Sequence, residues 1–159
     1  MIDLKLLVFS DSHGSIGNMY DAVVREMPDT VLHLGDHISD AEDLSYALPD
    51  VEIMRVPGNC DFASIAQPSI FTELGGVRIF MTHGHLFGVK RGTKLLQQQS
   101  RLLGAQIALF GHTHSALCEC CDGVWLLNPG ACGRFRRASY GVIEIVAGGR
   151  FSCRIEDFD

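Results

Sequence analysis

The 159-residue chain has no internal repeat, no low-complexity tract and no long linker, so nothing in it suggests an array of stacked units or tethered modules. Basic residues are in deficit: 13 Lys and Arg face 19 Asp and Glu, a formal charge of −6. That argues against broad nucleic-acid binding, which needs basic surface to displace counterions. Long apolar runs are missing too. The opening MIDLKLLVFSD is interrupted by polar residues too soon for a membrane span or a secretory signal. The six cysteines, Cys60, Cys118, Cys120, Cys121, Cys132 and Cys153, cluster only at 118–121, and the C-x-C-C spacing there lacks the usual paired C-x2-C knuckles of a structural zinc site. A cytoplasmic protein with reduced thiols and no membrane attachment is the expectation.

About half of the chain is hydrophobic and 20% is charged, the balance of a globular chain rather than a disordered one. Its length suits one domain, 1–159, able to bury a core without disulfides. Segments 4–10, 30–34 and 52–56 read as strands. Between them, 15–27 carries Ile16, Met19, Val23 and Met27 at helical spacing, and 40–48 carries Ala41, Leu44 and Leu48. Strand, helix, strand, helix, strand implies a parallel sheet with right-handed crossovers. The second half changes character. Strands at 70–74 and 77–82 flank Gly75-Gly76, those at 117–121 and 124–128 flank Asp122-Gly123, and those at 140–146 and 150–155 flank Ala147-Gly148-Gly149. All three are hairpin signals. A helix at 93–103 ends at Gly104, and 106–110 is a further strand. The class is α/β, and two packed sheets with helices outside would satisfy both halves.

The polar residues of interest stand where strands end. Asp11-Ser12-His13 follows the first strand, Gly35-Asp36 the second and Gly58-Asn59-Cys60-Asp61 the third. His83-Gly84-His85 follows 77–82, and Gly111-His112-Thr113-His114 follows 106–110. Ligands of open α/β sheets collect at the carboxyl ends of strands, so the five clusters are expected to converge. Asp, Asn and His offer hard oxygen and imidazole donors, which suit Mn2+, Fe2+ or Zn2+. In Asp11-x-His13 and His112-x-His114 the single spacer lets both side chains point the same way if the segment is extended. His33, inside an apolar strand, reads as a core histidine, and His37 as a loop residue or a support to the site.

Taken in order, D-x-H, G-D, G-N-x-D, H-G-H and G-H-x-H resemble the calcineurin-like metallophosphoesterases over residues 4 to 131. The compact length and the G-N-C-D form are most similar to the small bacterial and archaeal phosphodiesterases. The resemblance implies a four-layer αββα fold, a two-sheet sandwich flanked by helices. It also implies a binuclear site for two divalent ions, Mn2+ first, with Ni2+, Fe2+ or Zn2+ as other fits. Asp11, His13 and His114 would hold the first ion, Asn59, His83 and His112 the second, and Asp36 both. Asp36, Asn59 and His83 are the implied catalytic set. A hydroxide shared by the ions would attack phosphorus in line with the leaving oxygen, with no protein nucleophile. A small phosphodiester is the implied substrate.

Two departures from the family pattern matter. Many members carry G-N-H-E, whose His is thought to protonate the leaving group; here Cys60 takes that place, and a thiol is a weak donor. His85 or a metal-bound water would then supply the proton. Asp61, at the family's acidic position, is read as orienting His13 or the loop. The segment Asn128-Pro129-Gly130-Ala131 resembles the family's N-P-G-S turn with Ser replaced, and is read as a structural turn under the site. Arg134, Arg136 and Arg137 follow it as a solvated charge run or a phosphate-facing patch. Two rival functions stand beside the enzyme. One is a scaffold that keeps the fold and binds protein partners, as a retromer subunit of this family does. The other is a redox protein built on a reactive Cys60. Apolar hairpins such as 117–127 offer a surface for a homo-oligomer.

Overall fold

Alternate residues of the first strand, β1 (Leu4–Phe9), face opposite ways, and both ways are buried. Leu6 and Val8 point into the space between two sheets, while Leu7 and Phe9 point to a layer of helices. A strand covered on both faces has no polar side to show, which is why the segment reads as a continuous apolar run. The structure, a computed structural model, describes residues 2–62, 64–133 and 137–158. Arg134 and Arg136 lie outside the described residues; Arg137 is exposed.

The first half forms α1 (Ile16–Glu26), β2 (Thr30–His33), α2 (Ile38–Ala47) and β3 (Glu52–Arg55). The second half forms β4 (Ser69–Leu74), β5 (Val77–Thr82), α3 (Lys94–Leu103), β6 (Ile107–Leu109), β7 (Leu117–Cys121), β8 (Val124–Asn128), β9 (Ser139–Val146) and β10 (Arg150–Asp157). Strands β1, β2 and β3 pair in parallel, as the alternation with helices requires. The three expected hairpins, β4–β5, β7–β8 and β9–β10, are antiparallel. Strand β9 returns to pair antiparallel with β1. Two mixed sheets of five result, in the orders β10-β9-β1-β2-β3 and β4-β5-β6-β8-β7.

The sheets pack face to face through Leu6, Val8, Leu32, Ile79, Met81 and Leu109, among others. On the outer face of the first sheet, Met19, Ala22, Val23 and Leu44 of α1 and α2 cover Leu7, Phe9 and Val31. On the outer face of the second, Leu96 of α3 covers Phe80, Ala108 and Leu126. Four layers therefore enclose three apolar clusters, one between each pair of adjacent layers, and each fully buried Leu or Ile contributes roughly 1.5–3 kcal/mol. Among the described residues no helix is long and apolar enough to cross a membrane. The short 3-10 turns His85–Phe87 and Val89–Arg91 have no periodicity to announce them; left-handed Gly84 and Gly88 bound them.

Candidate metal centre

The turns that follow β1, β2 and β6 are left-handed. Asp11, His13, Asp36, His37, His112 and His114 all have φ between 43° and 69°. Asp and His tolerate this region better than most residues, yet a run of such positions is uncommon and costs free energy that the surroundings must offset. Asp11 and His13 do converge, as do both with His114, but through tight turns and not through the extended segments expected from the one-residue spacing. An extended chain would carry the second side chain away along the strand; the left-handed turn brings it back over the strand end.

Close approach of backbones makes the turns possible. A Cβ at Gly58 would overlap the Asp36 carboxylate and lie 2.6 Å from its amide. A Cβ at Gly111 would collide with Ser10 and come within 3.0 Å of Asp11 Oδ2. Neither position accepts any residue but glycine while the carboxylates keep their places.

Asp11 is fully buried. Its Oδ2 accepts hydrogen bonds from Ser10 Oγ at 2.7 Å and from the His112 amide at 3.2 Å. Its Oδ1 accepts none among the described residues and lies 3.2 Å from His114 Nε2 and 3.9 Å from His83 Nε2. The other imidazole nitrogen of His83 settles that ring's tautomer. Nδ1 is 2.8 Å from the carbonyl oxygen of Leu34, which can only accept. The neutral ring therefore carries its proton on Nδ1, and the lone pair of Nε2 faces Asp36 Oδ2 at 3.6 Å and His112 Nδ1 at 3.2 Å.

Ligand-capable atoms of Asp11, His13 and His114 lie within 4.8 Å of one another, and so do those of Asp11, Asp36 and His83. Asp11 belongs to both groups. Burial by itself would raise the Asp36 carboxyl, but the hydrogen bond from the Cys60 amide, 2.9 Å from Oδ1, holds it below its ordinary range. Burial first, then Lys90, push His112 down, and burial pushes His85 down, so both rings are neutral at neutral pH. Converging neutral imidazoles and carboxylates form a hard donor set for divalent cations.

The remaining predicted residues lie around these two groups. Asn59 and Cys60 are exposed at the rim. Asp61 does orient a loop, through the backbone amides of Gly58 at 2.8 Å, Asp36 at 2.9 Å and Ile38 at 3.0 Å. His37 is exposed, its ring 4.7 Å from that of His13. The His85 ring lies 5.4 Å from that of His83, tilted by 57°, and its buried Nδ1 has no hydrogen bond among the described residues. His33 is buried at the end of β2, and burial pushes it down to about 4. Burial first, then Asp36 and Asp61, push the Cys60 thiol up, so it stays protonated and is a poor nucleophile.

Further polar residues support the site, among them Asn128 of the N-P-G-A segment read from the sequence as a structural turn. Asn128, fully buried, donates to Gly111 O at 3.2 Å and to Thr113 Oγ1 at 2.9 Å, and its own Oδ1 accepts from the Gly130 amide at 2.9 Å. The N-P-G turn thus clamps the loop that carries His112 and His114. Ser10, Ser12 and Asp40 are further buried polar residues beneath the turns. Only the low intrinsic preference of Ser, Asp and Asn for strand and helix interiors hinted at them.

Residues 4–148 match the family model of the calcineurin-like phosphoesterase superfamily domain. The chain belongs to this superfamily. Among its phosphoesterase relatives, the probable metallophosphoesterase YsnB of Bacillus subtilis (strain 168) is 33% identical over 151 residues, covering 89% of this chain and 85% of that protein. The phosphodiesterase YfcE of Escherichia coli K12 is 27% identical over 168 residues, covering 89% and 88%. A Streptococcus pneumoniae TIGR4 protein described as a predicted phosphoesterase superposes with a TM-score of 0.80 at 28% identity, covering 100% of this chain and 92% of that one. Vps29 of Entamoeba histolytica in complex with zinc shares the fold, with a TM-score of 0.77 at 22% identity over 98% of this chain and 100% of that one.

Proposed function

We propose that this phosphoesterase is a binuclear metal-dependent phosphodiesterase acting on a small phosphodiester. The observation that carries the reading is the lone pair of His83 Nε2, buried and facing the carboxylates of Asp11 and Asp36. Such an arrangement of electron-rich atoms repels itself unless a cation lies among them. Metal-bound histidines commonly donate their other ring N–H to a backbone carbonyl, as His83 does to Leu34. Asp11 Oδ1, buried without a hydrogen bond among the described residues, adds a second orphaned donor atom at the same place.

In this reading Asp11, His13 and His114 hold one cation, Asn59, His83 and His112 the other, and Asp36 both. The donor set suits Mn2+ first, with Ni2+, Fe2+ and Zn2+ as other fits. When bound, such a pair makes water acidic enough to ionise near neutral pH and offsets the charge that builds on the phosphoryl group. The residues of the chain do the rest. Leu34 and Asp61 fix the orientation of His83 and Asp36. Asn59 contributes a neutral oxygen, which adds no negative charge where an anionic substrate arrives. His85, neutral and beside His83 and His112, stands ready to receive or deliver a proton at its Nδ1.

The size of the substrate is supported by a cleft of about 740 Å3 that begins at Cys60 and Asp61. Ile38, Phe62, Ile65 and Ala66 give it apolar walls, and Arg55 lies in its lining. That volume suits the organic group of a small ester. The name of YfcE, a phosphodiesterase, points to the same class of bond.

The test is hydrolysis of bis(4-nitrophenyl) phosphate by metal-stripped protein to which Mn2+ is restored, beside the Asp36→Asn variant. Activity is expected to require the metal and to fall at least about a hundredfold in the variant. Folded protein that turns over no ester with Mn2+, Ni2+, Fe2+ or Zn2+ sinks the enzyme and favours the scaffold reading.

A further inference from the structure

Three carboxylates are buried on this side of the molecule: Asp11 at 0% exposure and Asp36 and Asp40 at 4% each. Among the described residues no Lys or Arg forms an ion pair with any of them; the lysines and arginines that do pair are bound to Glu26, Glu42, Glu144 and Glu156. Uncompensated buried charge is costly, and proteins keep it where something else supplies the opposite sign. Asp11 and Asp36 offer atoms to the metal centre. Asp40 does not belong to either group of converging donors.

What Asp40 touches gives it a place in the same site. It lies in the first turn of α2, and its Oδ2 accepts hydrogen bonds from Ser12 Oγ and from the Gly14 amide, each at 2.7 Å. Ser12 Oγ is also 2.9 Å from His33 Nε2. The direction of this chain of bonds is determined. The Gly35 amide, a donor, points at His33 Nδ1 from 3.1 Å, so that nitrogen accepts and the ring proton sits on Nε2. His33 therefore donates to Ser12, and Ser12 must spend its own proton on Asp40. The polarised line Gly35, His33, Ser12, Asp40 ties together the two turns that present Asp36 on one side and Asp11 and His13 on the other. It ends on a buried negative charge.

We infer that Asp40 is a further positioning residue of the metal centre. It coordinates nothing itself, holds the Asp11–Ser12–His13 turn in its left-handed form through Ser12 and Gly14, and adds its charge to the field that retains the cations. The inference rests on the metallophosphoesterase reading above. A plain structural role is the competing account, since an acidic residue in the first turn of a helix stabilises that helix. The two accounts differ in sign. If Asp40 serves only α2, removing its charge destabilises the apo-protein and leaves metal binding alone. If its charge belongs to the metal centre, removing it relieves the apo-protein and weakens the metal.

Asp40→Asn separates the cases, because an amide oxygen in the place of Oδ2 keeps both hydrogen bonds while the charge is lost. The full chain, stripped of metal, is titrated with Mn2+ by calorimetry and melted without metal. The expected result is an affinity lower by about 10- to 100-fold with an apo melting temperature equal to or above that of the wild type. Ser12→Ala, which keeps the charge and breaks the line, is expected to weaken Mn2+ binding as well, and serves if the first variant does not fold. Wild-type affinity in both variants overturns the inference and leaves the phosphodiesterase reading standing. A lower apo melting temperature with unchanged affinity assigns Asp40 to the helix and overturns it equally. A wild-type protein that binds no divalent cation overturns the parent reading and this inference together.

Discussion

The amide of Cys60 donates to Asp36 Oδ1 at 2.9 Å, while the Cys60 side chain is exposed at the rim. The residue at this position thus serves the buried carboxylate through its backbone, and that service does not depend on which side chain it carries. In the proposed reaction the side chain would serve the leaving group, and there a protonated thiol is a weak donor. Cys60→His is therefore expected to fold normally and to keep its rate on activated aryl diesters. On diesters of poorly acidic alcohols it should gain about tenfold or more, because general acid help matters most there. The dependence of rate on leaving-group acidity checks this: the slope should flatten in the variant. An unchanged slope removes the leaving-group role from this position.

Asn128 offers a test of the clamp on the histidine loop. Asn128→Asp keeps the acceptor for the Gly130 amide but loses both donated hydrogen bonds, to Gly111 O and Thr113 Oγ1, at a fully buried position. Each lost partner costs about 1–3 kcal/mol when the group left behind stays buried. A drop of several degrees in melting temperature is expected, with weaker metal binding through the freed His112 and His114. Wild-type stability in the variant would contradict the clamp.

The apo-protein is expected to lose stability in mild acid through His33. Its folded value, about 4, lies below the ordinary 6.5 because burial disfavours the charged ring. The unfolded chain therefore binds more protons between these values. The contribution is whole above pH 6.5, declines as pH falls and is lost by about pH 4; at pH 5 the loss is about 2 kcal/mol. Denaturant unfolding at pH 7 and pH 5 measures it. The difference should shrink in His33→Gln, which has no titrating ring, and an equal difference in both proteins would put the acid sensitivity elsewhere.

Phe62 is 94% exposed beside the cleft, so its removal should leave the fold intact. An aromatic contact is worth about 0.5–1.5 kcal/mol. Phe62→Ala should raise KM for a bis-aryl phosphodiester roughly two- to tenfold and leave a methyl aryl diester unaffected. Equal effects on both substrates would remove Phe62 from recognition of the organic group.

The strands and helices were legible because their causes are local. The short apolar runs of β1 and β2, helical spacing in α1 and the turn pairs Gly75-Gly76 and Asp122-Gly123 each act over a few residues, so the chain order of elements follows from reading along it. The five polar clusters were legible for a similar reason: each stands directly after a strand. What the sequence by itself determined is therefore the α/β class, the three hairpins and the placing of candidate donor residues after strand ends. The tertiary structure decided how those donors meet. Left-handed φ at Asp11, Asp36 and His112 goes with close backbone packing at Gly58 and Gly111 and with hydrogen bonds between residues far apart in the chain, which make that conformation the least costly one. The tautomer of His83 depends on Leu34, 49 residues earlier, and the Asp11 turn depends on Asp40 in another helix. Such partners leave no periodic trace, because a hydrogen bond between distant segments constrains two single positions and nothing between them.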